Sequence, residues 1–435
     1  MFISCSSLWT HFDCVDMDKT RVYLERSKSS PIILQIERES LLSPHDPLFQ
    51  VIPNAASRLK SLSVQVPPES VGDIITHLSH PAPLLEDLSI DCGYELDPWD
   101  NPVLTTSLFN GNLSSLHNLR LRYVRTTLPW RNMVNLTSFA LGPTPPGEVS
   151  MGQLLDFFEN APRLDSVELH SATPTTDTRR GRLVSLERLK WMNIRGDDPC
   201  SLLLDHLLIP AGAWLAIWSD SLGSRLEGHF PRSLDNLRNL TNFTKIDLYL
   251  NDLSPEIRFT GPNGRVSVTC TAPQDNPTSP VFEYLAQVNA SGIERLEIDY
   301  GRPPSGDLVH RVLLPMNSLR TLKLSRCKGL RFFVHALHPN TNPSRVVVCP
   351  NLEELVLRAR SREAFDIGGL IDMAAARESE GAKLRTVGII GGLGKLDPGG
   401  VLELKKHALH VECDPGIGAV NDGSGRVIEG SDVSE

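Results

Sequence analysis

Few residue spacings in this chain could do chemistry, and each has a simpler structural reading. Gly391-Gly392-Leu393-Gly394-Lys395 has the residue types of a loop that cradles a polyphosphate with backbone N–H groups and a lysine. Such a loop needs a glycine five positions before Gly394 and a Ser or Thr after Lys395. Those positions hold Ile389 and Leu396, so the segment reads as a turn after a strand. His77/His80, His335/His338 and His407/His410 could each share a metal from one helix face. None has the glutamate of a zinc protease or a Cys pair nearby, and they read as helix ends. Cysteines at 5, 14, 92, 200, 270, 327, 349 and 413 form no Cys-x-x-Cys pair and read as reduced, mostly buried thiols. No Gly-x-Ser-x-Gly elbow occurs, and the acidic pairs Asp197/Asp198 and Glu353/Glu354 read as solvated. The sequence implies no catalytic residue, no metal and no cofactor, and hence a non-catalytic protein.

The elements that must position any functional surface come from a repeat. Leu-x-x-Leu-x-Leu returns about eleven times between Leu59 and Ile389, at a spacing of roughly 20 to 33 residues, in the range of leucine-rich repeats. Clear copies are Leu59/Leu62/Val64, Leu85/Leu88/Ile90, Leu116/Leu119/Leu121, Leu164/Val167/Leu169, Ile293/Leu296/Ile298, Leu319/Leu322/Leu324 and Leu352/Leu355/Leu357. Weaker ones are Leu136/Phe139/Leu141, Leu186/Leu189/Trp191, Phe243/Ile246/Leu248 and Leu384/Val387/Ile389. The last two apolar residues alternate with polar ones, so they point to one buried side of a strand and their neighbours to the other. Between copies, 71–78, 151–158, 201–208, 281–288 and 367–376 read as helical returns, stopped by Pro81, Pro162 and Pro350 before the next strand. Two double-length gaps are expected to hide strands at 213–218 and 265–270. The expected fold is α/β: a leucine-rich-repeat solenoid with a curved parallel sheet on the concave side and helices and loops on the convex side.

Composition agrees with a stacked aliphatic core, since apolar residues make up 40% of the chain and aromatics only 6%. A net charge of −9 argues against nucleic acid as the main partner, because phosphate binding needs a concentrated positive field. No apolar stretch is long enough to span a bilayer and no signal sequence opens the chain, so no membrane partner and a cytoplasmic or nuclear location are expected. Residues 1–40 read as a linker and N-terminal cap, with a helix at 19–27 and a strand at 32–36. Residues 41–412 read as about 11 to 13 irregular repeats, and 413–435 as a disordered tail poor in apolar residues.

Ser7-Leu8-Trp9-Thr10, followed by Tyr23-Leu24-Glu25-Arg26-Ser27-Lys28-Ser29-Ser30-Pro31-Ile32, resembles the segment just after the F-box in the F-box-like leucine-rich-repeat proteins of mushroom-forming fungi. The runs LLDFFENAPRL at 154–164, LDHLLIP at 204–210 and LRTLKLSRC at 319–327 agree with it. The resemblance implies a substrate receptor of a Skp, cullin and F-box ubiquitin ligase, in which the repeats hold a protein target. Only Trp9 to Phe12 map onto the end of the F-box, so the cullin adaptor is an expected partner only if F-box helices lie upstream. Without them the resemblance implies a stand-alone repeat scaffold.

Alternation also predicts which residues face a target. The polar stripe comprises Asp87, Asp91, Asn118, Arg120, Arg122, Glu168, His170, Arg188, Lys190, Lys245, Asp247, Tyr249, Arg295, Glu297, Lys323 and Arg358. Its charges alternate in sign, which suits a protein partner rather than a uniform polyanion. Arg120, Arg122, Arg188 and Tyr249 are the favoured contacts, because Arg and Tyr are enriched at binding hot spots.

Overall fold

A computed structural model describes residues 5–38, 46, 48–93, 102–104, 108–126, 133–143, 149–171, 182–196, 200–219, 236–238, 243–250, 254–271, 278–288, 290–301, 305–341, 346–358, 366–390 and 398–414. The chain is an α/β protein with mostly parallel sheet. It folds as two compact units, Met1–Asn242 with Gly261–Thr271, and Phe243–Thr260 with Ala272–Glu435, where the sequence suggests one repeat domain.

In the first unit Val103–Leu104 with Arg125–Thr126 and Val184–Ser185 with Leu207–Leu208 form separate short pairs, while ten strands of the main sheet pair in parallel succession. The order is His11–Asp13, Ile32–Glu37, Leu59–Gln65, Asp87–Asp91, Asn118–Arg122, Ser138–Leu141, Ser166–His170, Trp191–Gly196, Trp214–Ser219 and Arg265–Cys270. Register places one apolar residue of every copy beside the next: Leu34, Leu62, Leu88, Leu119, Phe139, Val167, Met192, Leu215 and Val266 form one ladder. Two residues further along each strand, Ile36, Val64, Ile90, Leu121, Leu141, Leu169, Ile194, Ile217 and Val268 form the second. All are buried. At about 1.5–3 kcal/mol for each fully buried aliphatic side chain, the ladders dominate the favourable energy of the sheet.

The strands expected at 213–218 and 265–270 are present, and they pair with each other. Residues 1–40 supply two strands to this sheet, so it begins earlier than 41.

One copy sits in a different register from the expected one. The strand is Trp191–Gly196, and its ladder residues are Met192 and Ile194, giving Leu189/Met192/Ile194 in place of Leu186/Leu189/Trp191. The reason lies in the turn that precedes every strand. Leu85, Leu116, Leu136 and Leu164 each donate a backbone N–H to the carbonyl three residues earlier, on Ala82, Leu113, Met133 and Ala161. Leu189 does the same to Leu186, at 2.9 Å, so Leu186 is the buried turn residue and not the first ladder residue.

The second unit repeats the scheme with Lys245–Tyr249, Arg295–Gly301, Thr321–Cys327, Glu354–Arg358, Thr386–Ile390 and His410–Asp414 in parallel succession. Ile246, Leu296, Leu322, Leu355 and Val387 align, as do Leu248, Ile298, Leu324, Leu357 and Ile389. Glu256–Thr260, unforeseen in the sequence, runs antiparallel to Lys245–Tyr249, a pairing that a short connection permits. Cys413 and Asp414 end the last strand instead of opening a tail; residues 415–435 and the segment 391–395 lie outside the described residues.

Helical returns include Pro68–His77, Met151–Asn160, Ile367–Ser379, Leu330–Leu337 and Pro398–His407, the last two ending at the His335/His338 and His407/His410 pairs as expected, and, unanticipated, Leu48–Ala55 and Gly306–Leu313. Met151–Asn160 starts where Ser150 Oγ accepts from the Gln153 N–H and Gln153 Oε1 accepts from the Ser150 N–H, satisfying donors that a helix start leaves open. The expected helix over 201–208 stops at Leu204, and Leu207–Leu208 instead pairs with Val184–Ser185.

Arg377 locks two successive returns of the second unit together. It is fully buried on Ile367–Ser379, and its guanidinium donates to the carbonyls of Val348 and Cys349 at 2.8 Å each and of Leu337 at 3.4 Å. Leu337 ends a helix whose last carbonyls carry the negative pole of its dipole, so the cation sits where its charge is favoured. Arg377→Ala leaves those carbonyls without a donor and opens a cavity, and the expected loss is about 3 kcal/mol by urea unfolding. A variant with wild-type stability would refute this role.

Candidate functional site

The first unit carries a sheet face whose three rows are fixed by strand register. One row places Trp214 between Trp191 and Arg265. The middle row runs Ser267, Ala216, Asn193, Glu168, Ala140 and Arg120. The third places Arg195 between Trp218 and His170. Alternation sends 214, 216 and 218 to this face while Leu215 and Ile217 enter the core.

Trp214 and Trp218 are 41% and 43% exposed on the face of a sheet, an unusual state for the largest apolar side chain. They are four strand positions apart, about 13 Å, and between them lies buried Ala216. The Arg265 guanidinium stacks 4.9 Å from the Trp214 ring. Asn193 Oδ1 is buried without a hydrogen-bond partner in the same row as Ala216.

Cations gather beside these rings. Arg122 Nη2 lies 3.8 Å from Glu168 Oε1, and His170 Nε2 lies 2.8 Å from the same oxygen. The reach of Arg122 is possible because the intervening strand places Gly142 opposite it and only Ala140 in the row of Glu168. A Cβ at Gly142 would sit 2.7 Å from the Arg122 Cα, so glycine is needed to keep the chain this close. Arg120 is exposed and makes no ion pair among the described residues. Among the described residues of these three rows Arg120, Arg122, Arg195 and Arg265 share the face with one carboxylate, Glu168, and the stripe turns acidic at Asp87 and Asp91 on the next strand.

In the second unit the strands Lys245–Tyr249 and Arg295–Gly301 neutralise each other on the corresponding face, while Lys323 and Arg358 make no ion pair among the described residues. Lys245 Nζ lies 2.9 Å from Asp247 Oδ1 and 3.4 Å from Glu297 Oε2, while Arg295 pairs with Glu297 and Arg326 with Asp299. Arg258 pairs with Glu256 at 2.9 Å, stacks 4.7 Å from the Tyr249 ring and donates to its hydroxyl at 3.2 Å. Burial, opposed by Lys245, raises the Asp247 carboxyl above its ordinary value. Burial also disfavours charge on Glu297, but hydrogen bonds from Arg295 and Asp247 outweigh it and hold Glu297 low. Asp247 is buried and its partners half-buried, so the cost of taking these charges out of water offsets much of their attraction, and the network orders the surface more than it stabilises the fold.

Of the expected stripe, Asp87, Asp91, Asn118, Arg120, Arg122, Glu168, His170, Lys245, Asp247, Tyr249, Arg295, Glu297, Lys323 and Arg358 all lie on strands, at polar-face positions. Arg188 and Lys190 do not. The corrected register puts both before the strand, where Arg188 is exposed in a turn and Lys190 pairs with Asp165 at 2.9 Å. Their places on the face belong to Trp191, Asn193 and Arg195, and the spacing Trp214-x-x-x-Trp218 was the available signal for the neighbouring strand. Trp9 and Phe12 pack on Tyr23, with ring centroids 5.1 and 5.5 Å away, and Arg26 stacks 4.5 Å from the Trp9 ring.

The three His-x-x-His pairs are engaged separately: His77 with the Asp73 carbonyl, His338 with the Asn340 N–H, His407 with Glu378 and His410 with Glu412. Among the described residues no group of three or more His, Cys, Asp or Glu could hold a metal. No described helix is long and apolar enough to cross a membrane. No protein-family model matches this chain, and no curated protein matches it.

Burial lowers His170 below its ordinary value near 6.5; Glu168 opposes this, and Arg122, Arg195 and Arg120 add to it. The folded chain therefore holds His170 neutral at pH values where the unfolded chain takes up a proton. Its contribution to stability is present above 6.5 and is lost as pH falls through the folded value. By NMR titration His170 should have a midpoint below 6.5, and Glu168→Gln should lower it further. A midpoint that rises in that variant would overturn the assigned pairing.

Proposed function

We propose that this chain is a protein-binding module built of leucine-rich repeats, with its target held on the polar face of the parallel strands. Its role is that of the target-holding part of an F-box-type ubiquitin-ligase receptor. Recurring parallel ladders with mostly helical returns support the repeat reading. The observation that carries the binding reading is the exposed pair Trp214 and Trp218, set beside Arg195 and Arg265. A fold gains nothing by leaving two indoles in water, whereas Trp and Arg are the residues that dominate the energy of protein interfaces. No residue of the chain needs to react: a receptor acts by raising the effective concentration of its target beside a separate enzyme. The ligase part of the reading rests on the resemblance around Trp9 and Tyr23.

The test has two arms. A photo-crosslinking residue at position 218 should capture a cellular protein that one at helical His335 does not, and Trp214→Ala with Trp218→Ala should weaken that protein's binding about tenfold or more at unchanged melting temperature. Equal capture at both positions, or unchanged affinity, would refute the binding face. Purified cullin adaptor should co-elute with the full-length protein; failure to do so would refute the ligase role and leave target binding intact.

A further inference from the structure

The face of the first unit also specifies the chemistry of what it takes. We propose that it receives an extended segment of a partner protein, laid across the strands, with an apolar side chain at one end and Asp or Glu about six residues away. This rests on the binding reading above and deepens it.

The direction follows from the rows. Along the middle row Ser267, Ala216 and Ala140 are small, and Asn193 and Glu168 between them are half-buried, whereas Trp214 and Trp218 stand on either side of Ala216 and block the way along that strand, so the path runs from strand to strand. At its tryptophan end the floor is buried Ala216 between Trp214 and Trp218. Two indole walls above a methyl floor offer an apolar side chain contact on three sides.

At the other end stands Arg120. From the Ala216 strand to the Arg120 strand there are four lateral steps, through the strands of Asn193, Glu168 and Ala140. At about 4.8 Å per step the distance is about 19 Å, which an extended chain covers in about six residues. Charge selects the rest. Arg122 is already shared with Glu168, so Arg120, which makes no ion pair among the described residues, is the cation that meets a carboxylate. Asp87 and Asp91, on the strand beyond, repel a carboxylate that overshoots, which fixes the register of the segment.

The experiment is a selection of random displayed peptides of about twelve residues on the purified full chain. Enriched peptides should carry an apolar residue and, about six positions away, Asp or Glu. The best of them, synthesised with a fluorescent label, should bind about tenfold more weakly to Trp218→Ala and about threefold more weakly to Arg120→Ala, and should weaken as salt rises. Arg120 is exposed and unpaired, so loss of binding in that variant cannot be confused with misfolding. Enrichment of basic or uncharged peptides, or equal affinity for both variants and wild type, would overturn this inference. Peptides that bind but crosslink only to the second unit would do the same while leaving a protein-binding function standing. A selection that yields no binder at all would count against both.

Discussion

Every feature of this protein depends on the two-residue alternation of a strand, propagated sideways by parallel register. A pair such as Leu119 and Leu121 is buried because its neighbours in space, Leu88 with Ile90 and Phe139 with Leu141, present the same pair at the same height. A slip by one residue would expose both and bury Arg120. The requirement is collective: each strand is held in register by the ladders on either side of it. The opposite face is consequently free to vary.

The two units use that freedom differently. In the second, neighbouring positions carry opposite charges, and Lys245, Asp247, Arg295 and Glu297 saturate one another. In the first, Trp214 and Trp218 stay two-fifths exposed and Arg120 makes no ion pair among the described residues. Half-buried ion pairs contribute little net stability, so the energetic contrast lies in apolar area: exposed indoles retain the burial energy that the second unit's face lacks. Binding energy is stored where the fold did not spend it.

Legibility followed the range of the interactions involved. The strands at 213–218 and 265–270 could be inferred inside irregular gaps because a missing ladder rung is visible by its spacing. The slip at Leu186 arose because Leu-x-x-Leu-x-x-Met-x-Ile contains two overlapping matches, and only the backbone bond from Leu189 to the Leu186 carbonyl decides between them. Placing Arg188 and Lys190 on the face was a direct result of that slip. Arg377 was invisible for another reason: nothing near it in sequence announces that it will meet the carbonyls of Val348 and Cys349.

The sequence by itself determined which residues enter the core and which remain on the polar face, because alternation along a strand is a property of a few consecutive residues. Only the tertiary structure decided which polar residues become neighbours. Trp191 pairs with Trp214, and Arg122 reaches Glu168 across the strand of Gly142, because return segments of unequal length bring distant strands into one register. That lateral match is set by how the ladders stack, and no local pattern encodes it.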